Sequence, residues 1–261
     1  EAFFRSEKPE IVIMAAAKVG GILANNNFPY EFLYENLKIQ NNVINSALEH
    51  GVEKLIFLGS SCIYPKYCNQ PIKEEFLLTG ALEPTNQWYA IAKISGLKLV
   101  EAIRKQYKKN FMSLMPTNLY GPNDNFDESS SHVIPGLIRR MYNAKLESDN
   151  VFNVWGDGTP LREFLYVDDL SNAIKFVIEN DINDDLLNIG FGEEISIKEL
   201  ALKIKKIVNF AGDIEFDTTK PNGNPRKLLD TTLIRNYGWQ PKFSLGKGLE
   251  LSFNWFTQNL S

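Results

Sequence analysis

Short apolar runs alternate with long segments of helical periodicity in the first part of the chain, and this alternation constrains the fold most. Glu10 to Ala17 (EIVIMAAA) has the β-branched, apolar composition of a parallel strand buried on both faces, and Lys54 to Leu58 (KLIFL) is another buried run. Tyr30 to His50 carries apolar residues at helical spacing, and a second helical pattern, Asn86 to Lys108, precedes the strand Phe111 to Met115. This order implies right-handed crossovers, so the sequence predicts an α/β fold with a doubly wound, Rossmann-like parallel sheet.

The alternation breaks after Pro122. A polar loop there is followed by a helical pattern around Ile134 to Ala144 and by a short strand pattern at Val151 to Trp155. The stretch Ile195 to Ser261 offers two helices and an intervening loop, KPNGNPRK, that is rich in Pro, Gly and basic residues. Together these segments predict a second, smaller α/β domain.

Two segments that lie between them are expected to return to the main sheet. Phe164 to Asn180 predicts a strand end, an Asp cap at Asp168 or Asp169 and an amphipathic helix, and Leu186 to Gly190 (LLNIG) predicts a further strand. We therefore predict a dinucleotide-binding domain of residues 1–121 and 164–192 and a substrate domain of residues 122–163 and 193–261.

The N-terminal part of the chain has no glycine-rich turn of the kind that holds a dinucleotide. Such a turn, G-x-x-G-x-x-G or G-x-G-x-x-G, ordinarily links the first strand to a helix whose N-terminus binds the pyrophosphate. Nothing upstream of Lys18 supplies it, and the turn Val19-Gly20-Gly21 is too short and follows the wrong strand. We therefore expect the dinucleotide-binding domain of this chain to lack its first βαβ unit.

Charge and cysteine content limit the ligands and the environment. The net charge of -4 provides no broad cationic face, which argues against nucleic acid or membrane as a partner and favours a small anionic ligand. Cys62 and Cys68 are too few for a disulfide framework or a metal cluster, so no metal is expected. No apolar run approaches the roughly 20 residues of a membrane span, and the opening EAFFRSEKPE lacks signal-peptide order. We predict a soluble, cytoplasmic protein.

Tyr89 and Lys93 lie on one face of the predicted second helix, because they are four residues apart. Tyrosine, with an ordinary pKa of about 10, is a poor acid or base near neutrality, and a neighbouring ammonium would lower that pKa. The pair therefore suits a proton donor and the cation that tunes it. On spacing alone it equally fits a solvent-facing lysine beside a half-buried tyrosine.

Ser60 and Ser61 end the strand that precedes this helix, and ligands of open α/β sheets bind at the carboxyl ends of strands. A serine hydroxyl there can donate to a substrate carbonyl oxygen while the tyrosine protonates it, which polarises the carbon for hydride attack. A strand-to-loop cap remains the alternative role for one of the two serines.

Motifs of one known family occur in order along nearly the whole chain. A strand ending in GSS, a YxxxK helix and a PTNLYGP strand end resemble the extended short-chain dehydrogenase/reductases that modify nucleotide sugars. Within them, the chain is similar to the GDP-L-fucose synthase family from about Phe3 to Trp255, in the motifs AAAKVGGI, LGSSCIYP, EPTN-x-x-YAIAK, MPTNLYGPNDNF, SHVIP, WGDGTPLREFLYVDD and PRKLLD. The ordered set is far more specific than any single motif.

The resemblance implies a two-part reaction on GDP-4-keto-6-deoxy-D-mannose, namely epimerisation at C3 and C5 and then reduction of the C4 ketone by NADPH. It makes Cys62 and His132 the base and acid of epimerisation, and Ser60 and Tyr89 the residues that hold the C4 oxygen. Thiol and imidazole have reference pKa values of about 8.5 and 6.5, which bracket neutrality. Cys62 also fits a small buried side chain and His132 a loop anchor, and the carbon that each serves stays open.

The resemblance also implies contacts for both ligands. Diphosphate needs Arg or Lys donors and a Trp face can stack on guanine or sugar, which implies substrate contacts at Arg140, Trp155, Arg162 and, more weakly, Lys227. Each of these also fits a surface or core role. The implied contacts of NADP(H) are Leu58, Gly59, Ser60, Ser61, Tyr89, Lys93, Pro116, Thr117, Asn118, Leu119 and His132. NADP rather than NAD, and the expected homodimer, rest on the resemblance alone.

Two other functions fit the same residues. A related nucleotide-sugar 4-epimerase or dehydratase shares the Ser, Tyr and Lys, although a simple 4-epimerase does not need Cys62 together with His132. Without the glycine-rich unit, the chain also fits a non-catalytic nucleotide-sugar binder. The sequence favours an NADPH-dependent oxidoreductase with epimerase activity on a GDP-sugar.

Overall fold

The computed structural model describes residues 1–128, 130–180, 182, 184–220, 222 and 225–260. Its strands, in chain order, are β1 (Ile11–Met14), β2 (Lys54–Leu58), β3 (Asn110–Pro116), β4 (Asn118–Tyr120), β5 (Val151–Trp155), β6 (Leu161–Arg162), β7 (Phe164–Tyr166), β8 (Leu186–Ile189), β9 (Ile195–Ser196), β10 (Asp213–Asp217) and β11 (Arg226–Lys227). Its α-helices are α1 (Ala2–Glu7), α2 (Ile22–Asn27), α3 (Pro29–Glu49), α4 (Gln87–Tyr107), α5 (Val133–Leu146), α6 (Val167–Glu179), α7 (Ile197–Val208), α8 (Thr232–Asn236) and α9 (Leu245–Asn259), with 3₁₀ turns at Ser61–Ile63 and Glu74–Phe76.

A parallel sheet of order β1-β2-β3-β8 forms the centre of the molecule. Side chains of β2 alternate between its two faces: Leu55 and Phe57 enter the core that contains residues of α3 and α4, and Ile56 enters the core that contains residues of α6. Because helices cover both faces, the prediction of a doubly wound α/β sheet is confirmed. All four strands run the same way, so their carboxyl ends share one edge of the sheet.

The first strand is less buried than its sequence predicts. Ile11 and Ile13 are 41% and 48% exposed, and the strand ends at Met14 instead of Ala17. The reason is its place at the edge of the described sheet: the core that covers one face includes Met14, but the core on the opposite face contains no residue of β1. An apolar run alone could not distinguish an edge strand from a central one.

A second group of elements packs around its own core. Strand β5 pairs with β10, β6 lies between β11 and β9, and residues of α5, α7 and α9 fill the core beside them. The sequence predicted only two helices and a loop after Ile195, whereas the structure adds α8 and the strands β9, β10 and β11 there. Strands β9 and β11 have two residues each, which is too short for periodicity to detect. Three positions of the predicted loop, Pro221, Gly223 and Asn224, lie outside the described residues.

The start of α6 corrects the predicted Asp cap. The helix begins at Val167 after Tyr166, so Asp168 and Asp169 lie in its first turn, where negative charge is favourable. The carboxylate of Asp169 instead accepts hydrogen bonds from the backbone N–H groups of Lys242 (2.8 Å) and Phe243 (3.0 Å). It therefore fastens the segment that leads into α9 to the helix that covers the main sheet.

The predicted domain division stays a prediction, and residues on either side of it share cores. Leu229 belongs to the core on one face of the main sheet, and Ile234 and Trp239 belong to the core on the other. All three lie within the predicted substrate stretch 193–261. Within the described residues, no helix combines the length and the apolar character of a membrane span.

Candidate active site

The carboxyl end of β2 positions the predicted serine pair. Gly59 donates its N–H to Leu114 O at 2.8 Å, and a Cβ at Gly59 would lie 2.5 Å from Met115 Sδ, so a larger residue there would require the Met115 side chain to shift. Ser60 follows in an extended conformation and its Oγ accepts the Cys62 N–H at 3.2 Å, which starts the 3₁₀ turn. One serine hydroxyl is thus a turn cap that also faces the site.

Helix α4 brings Lys93 to the same strand end. Lys93 is only 3% exposed, and its Nζ donates to Leu58 O at 2.8 Å and lies 4.8 Å from the centroid of the Phe57 ring. Burial lowers the pKa of Lys93 to about 8. An ammonium has three donors, so two remain after the bond to Leu58 O.

Tyr89 lies one turn before Lys93 on the same helix face, as the spacing predicted, with Lys93 Nζ 5.9 Å from its ring centroid. Burial raises the pKa of Tyr89, the negative charge of a Cys62 thiolate raises it further, and the hydroxyl of Ser60 opposes both. The expected lowering of this pKa by Lys93 was wrong in direction. The ammonium lies 5.9 Å from the ring centroid and is engaged with Leu58 O, so burial dominates and the phenol stays protonated.

Cys62 sits between two cations. Lys227 Nζ lies 3.4 Å from Cys62 Sγ, and Lys227 is paired in register with Arg162 in the parallel ladder of β11 and β6. Burial raises the pKa of the Cys62 thiol, but the charge of Lys227, hydrogen bonds from Ser60 and Lys227, and the charge of Arg162 together lower it below its ordinary value. The two cations therefore make the Cys62 thiol easier to deprotonate than an ordinary cysteine.

His132 occupies a different setting. It is exposed at the N-cap of α5, its side chain caps no backbone group, and it lies near enough to Asp124 to lower the pKa of that carboxyl, which burial raises. In the described part of the chain, no hydrogen bond joins His132 to Ser60, Cys62 or Tyr89. The structure therefore brings four of the five predicted catalytic residues, Ser60, Cys62, Tyr89 and Lys93, to the carboxyl end of β2, and it shows no such contact for His132 among the described residues.

The predicted substrate contacts fall into two groups. Arg140 on α5 stacks against Phe152 and Trp155, with its guanidinium carbon 5.2 and 5.8 Å from their ring centroids, and Trp155 is 64% exposed. Arg162 and Lys227 belong to the second group, which lies beside Cys62. Lys227, predicted as a weak diphosphate contact, thus lies at the sulfur.

Two residues near the site were missed by the sequence reasoning. Glu163 is fully buried, and its carboxylate accepts the N–H groups of Gly192 (2.7 Å) and Leu229 (3.0 Å). An acidic residue directly before the apolar run FLYV was the signal for it. Lys220 lies 5.8 Å from the Trp155 ring centroid, and nothing in its loop sequence pointed to that position.

The end of β3 and the start of β4 carry the predicted PTNL contacts of a cofactor. The Thr117 N–H donates to Ile189 O at 2.9 Å, and Asn118 Nδ2 donates to Glu163 O at 2.8 Å, so both side chains and backbone are fixed at the common strand edge. Nearby, Lys93 retains unused donors, and Asn86 Oδ1, one turn before Tyr89, is buried without a hydrogen-bond partner among the described residues. The free donors of Lys93 at the strand edge fit the hydroxyls of a nicotinamide riboside.

Comparison with known proteins agrees with this geometry. Residues 1–190 match the NAD dependent epimerase/dehydratase family. A GDP-L-fucose synthase of Sinorhizobium fredii is 56% identical over 100% of this chain and 83% of its own length, and one of Escherichia coli is 49% identical over 98% and 83%. A solved GDP-L-fucose synthetase of Naegleria fowleri, bound to NADP, superposes with a TM-score of 0.88 at 31% identity over 98% of this chain and 79% of that one.

Proposed function

Because the chain belongs to the NAD dependent epimerase/dehydratase family, and within it to the GDP-L-fucose synthases, we propose that it converts GDP-4-keto-6-deoxy-D-mannose to GDP-L-fucose with NADPH. The reaction comprises epimerisation at C3 and C5 and reduction at C4. One observation supports both parts: the Cys62 thiol, 3.4 Å from the Lys227 ammonium, lies at the same strand end as Ser60 and close enough to Tyr89 for its charge to affect that phenol. A base and a proton donor are thereby held at one strand edge.

Cys62 acts as a base in the epimerisation. The C4 ketone acidifies the protons on its two neighbouring carbons, because each carbanion is stabilised as an enolate. The Cys62 thiolate takes such a proton and becomes a thiol, while the electron pair of the C–H bond moves to the C4 oxygen. His132 returns a proton to the opposite face of the ring, which its exposed place at the start of α5 leaves it free to approach.

Ser60 and Tyr89 act on the C4 oxygen. The Ser60 hydroxyl donates to that oxygen and holds the ketone, and Tyr89, whose pKa burial raises, keeps the proton that the oxygen needs when C4 is reduced. NADPH supplies the hydride. Lys93 is bonded to the strand end through Leu58 O, and its remaining donors would be available to the ribose hydroxyls of bound NADPH.

Arg140 and Trp155 hold the GDP end of the substrate. The exposed Trp155 face offers a stacking surface for guanine or for the sugar, and the Arg140 guanidinium beside it can engage a phosphate. The two residues sit on α5 and β5, away from the edge of the main sheet.

The test of this function separates the two half-reactions. In D₂O and without NADPH, the enzyme should exchange the C3 and C5 protons of GDP-4-keto-6-deoxymannose for deuterium, as seen by mass spectrometry. Cys62→Ser should reduce this exchange by about 10² or more, since a positioned base contributes roughly that much. C4 reduction, followed as NADPH oxidation, should survive in the same variant.

Cys68→Ser is the matched control, because Cys68 is the other free thiol and packs against the core of the main sheet. It should exchange both protons at the parental rate. If Cys62→Ser exchanged both protons at the parental rate, Cys62 would not be the base of epimerisation. Stoichiometric NADPH oxidation by the parent distinguishes the proposed enzyme from a simple 4-epimerase, which consumes no net cofactor.

The proposal includes a homodimer formed through α3 and α4. These helices lie side by side, with Gln40 Nε2 donating to Ala92 O at 2.7 Å. They expose the large apolar side chains Tyr34, Trp88 and Ile91, which a second copy would remove from water. Sedimentation velocity should show a dimer, and Ile91→Lys should shift it to a monomer.

The proposed location is the cytoplasm. Cys62 and Cys68 are both free thiols. The proposed base works only as a free thiol, and the cytoplasm keeps thiols reduced.

A further inference from the structure

We propose that Lys227, assisted by Arg162, is a positioning residue that stabilises the thiolate form of Cys62 in the free enzyme, and is not a contact for the diphosphate. The inference rests on the proposed function, in which Cys62 is the base of epimerisation. It assigns two of the four predicted substrate contacts to the activation of that base.

The first observation is the direction in which Lys227 points. Neighbouring residues of a strand face opposite sides. Arg226 faces outwards, where its guanidinium makes bonds of 2.8 to 2.9 Å with the carboxylate of Glu194. Lys227 faces inwards and ends 3.4 Å from Cys62 Sγ.

The second observation is the lack of any other anion for these two cations. Across the described ranges, no carboxylate lies within 4.0 Å of Lys227 Nζ or of the Arg162 guanidinium, although their strands pair them in register. Two adjacent like charges repel each other, and a nearby anion offsets this repulsion. Cys62 is the acidic group that is electrostatically coupled to both.

The third observation is how firmly Lys227 is placed. The residue after it donates its N–H to Gln70 Oε1 at 2.8 Å, and the N–H of Leu229 donates to the buried carboxylate of Glu163 at 3.0 Å. The Ile72 N–H donates to Leu228 O at 2.7 Å, and the Asp230 N–H donates to Ile72 O at 2.8 Å, so the backbone is held on both sides of Leu229. The ammonium therefore stays near the sulfur without a ligand to order it.

All groups that face Cys62 act in a definite direction. Lys227 from β11 and Arg162 from β6 favour the thiolate, the Ser60 hydroxyl stabilises it by a hydrogen bond, and Tyr89 from α4 is a neutral phenol. Burial alone opposes the charged form. When the thiolate takes a proton from the sugar, the negative charge moves from the sulfur to the C4 oxygen, so the charge of the site is conserved and the cations remain compensated.

The test uses alkylation of the free enzyme by iodoacetamide, which needs neither substrate nor cofactor. Trypsin cleavage after Lys66 separates the two cysteines, because Cys62 lies in LIFLGSSCIYPK and Cys68 in YCNQPIK. Lys227→Met should lower the alkylation rate of Cys62 about tenfold below neutral pH, as expected when a pKa rises by about one unit. Lys227→Arg should retain the parental rate, and Arg226→Met, on the same strand but facing outwards, is the matched control that should leave it unchanged.

The pH dependence of kcat/KM for proton exchange gives the second readout. Since kcat/KM reports the free enzyme, the acid limb should move to higher pH in Lys227→Met and return to its place in Lys227→Arg. If Lys227 instead binds diphosphate, KM would rise at every pH while the limb and the alkylation rate stay unchanged, which would overturn the proposal. The outcome is separate from the proposed function, which is tested by proton exchange in Cys62→Ser and by NADPH oxidation in the parent.

Discussion

The two ends of the candidate site are built differently. At the edge of the main sheet, Lys93 is buried and bonded to Leu58 O, and the Ser60 hydroxyl accepts the N–H of Cys62. At the other end, Trp155 is largely exposed on a short paired strand and contacts Arg140 through its ring face. Burial therefore controls proton affinities at the sheet edge, whereas exposed ring and guanidinium surfaces control binding at the nucleotide end.

Replacing the proton donor should give the largest effect at the sheet edge. Tyr89→Phe removes the hydroxyl that protonates the C4 oxygen, so kcat for NADPH oxidation should fall about 10² to 10⁴-fold with little change in KM. Tyr67→Phe, at an exposed tyrosine, is the control and should be neutral. A large rise in KM for Tyr89→Phe would mean that the sheet edge serves binding and would break the contrast.

The charge of Lys93 should give a smaller effect that depends on pH. Its pKa is lowered to about 8 by burial, so the ammonium is lost as the pH rises through 8. If that charge supports reduction, kcat/KM should fall about tenfold per pH unit above this value. In Lys93→Arg the fall in kcat/KM should begin at a higher pH, because a guanidinium keeps its charge. A limb that stays near pH 8 in that variant would belong to another group.

The same shift should also be visible in stability. The folded-state pKa of Lys93 lies below the ordinary value of lysine, so the unfolded chain binds more protons between the two values. The contribution of Lys93 to the free energy of unfolding should therefore rise as the pH increases from about 8 towards 10. Urea titrations of the parent and of Lys93→Met across this range would measure it, and the variant should lack that increment.

The smallest effect is expected at the nucleotide end. Trp155→Ala should raise KM for the GDP-sugar about five- to tenfold and leave kcat unchanged, because an aromatic stack contributes about 1 kcal/mol. Trp155→Phe retains a ring, so its KM for the GDP-sugar should lie between those of the parent and of Trp155→Ala. A fall in kcat with unchanged KM would show that this end also takes part in the chemistry.

Local patterns in the sequence predicted the central part of the molecule well. The alternation of strand and helix gave the parallel sheet, and the four-residue spacing placed Tyr89 and Lys93 on one face. The exposure of Ile11 and Ile13 was not foreseen, because it depends on which elements cover an edge strand. The direction of the Tyr89 pKa was missed for a similar reason, since burial is decided by tertiary packing and not by the neighbour one helical turn away.

The position of Lys227 shows where local patterns fail. Its strand has two residues, and its partner at the sulfur is 165 residues away along the chain, so neither periodicity nor a short motif could bring them together. The family resemblance placed Lys227 at the substrate, whereas the contact with Cys62 came only from the pairing of β11 with β6. Glu163 directly follows β6, and its carboxylate accepts the N–H of Leu229 after β11, which adds a contact between the two segments.

The 165-residue separation between Lys227 and Cys62 also bears on the assembly of the molecule. Closing so long a loop costs chain entropy that is recovered only when the distant segments meet. Any form of the chain in which β11 has not yet joined β6 carries an ordinary thiol at Cys62. The cationic surroundings that lower the pKa of the Cys62 thiol are thus produced only by completed folding.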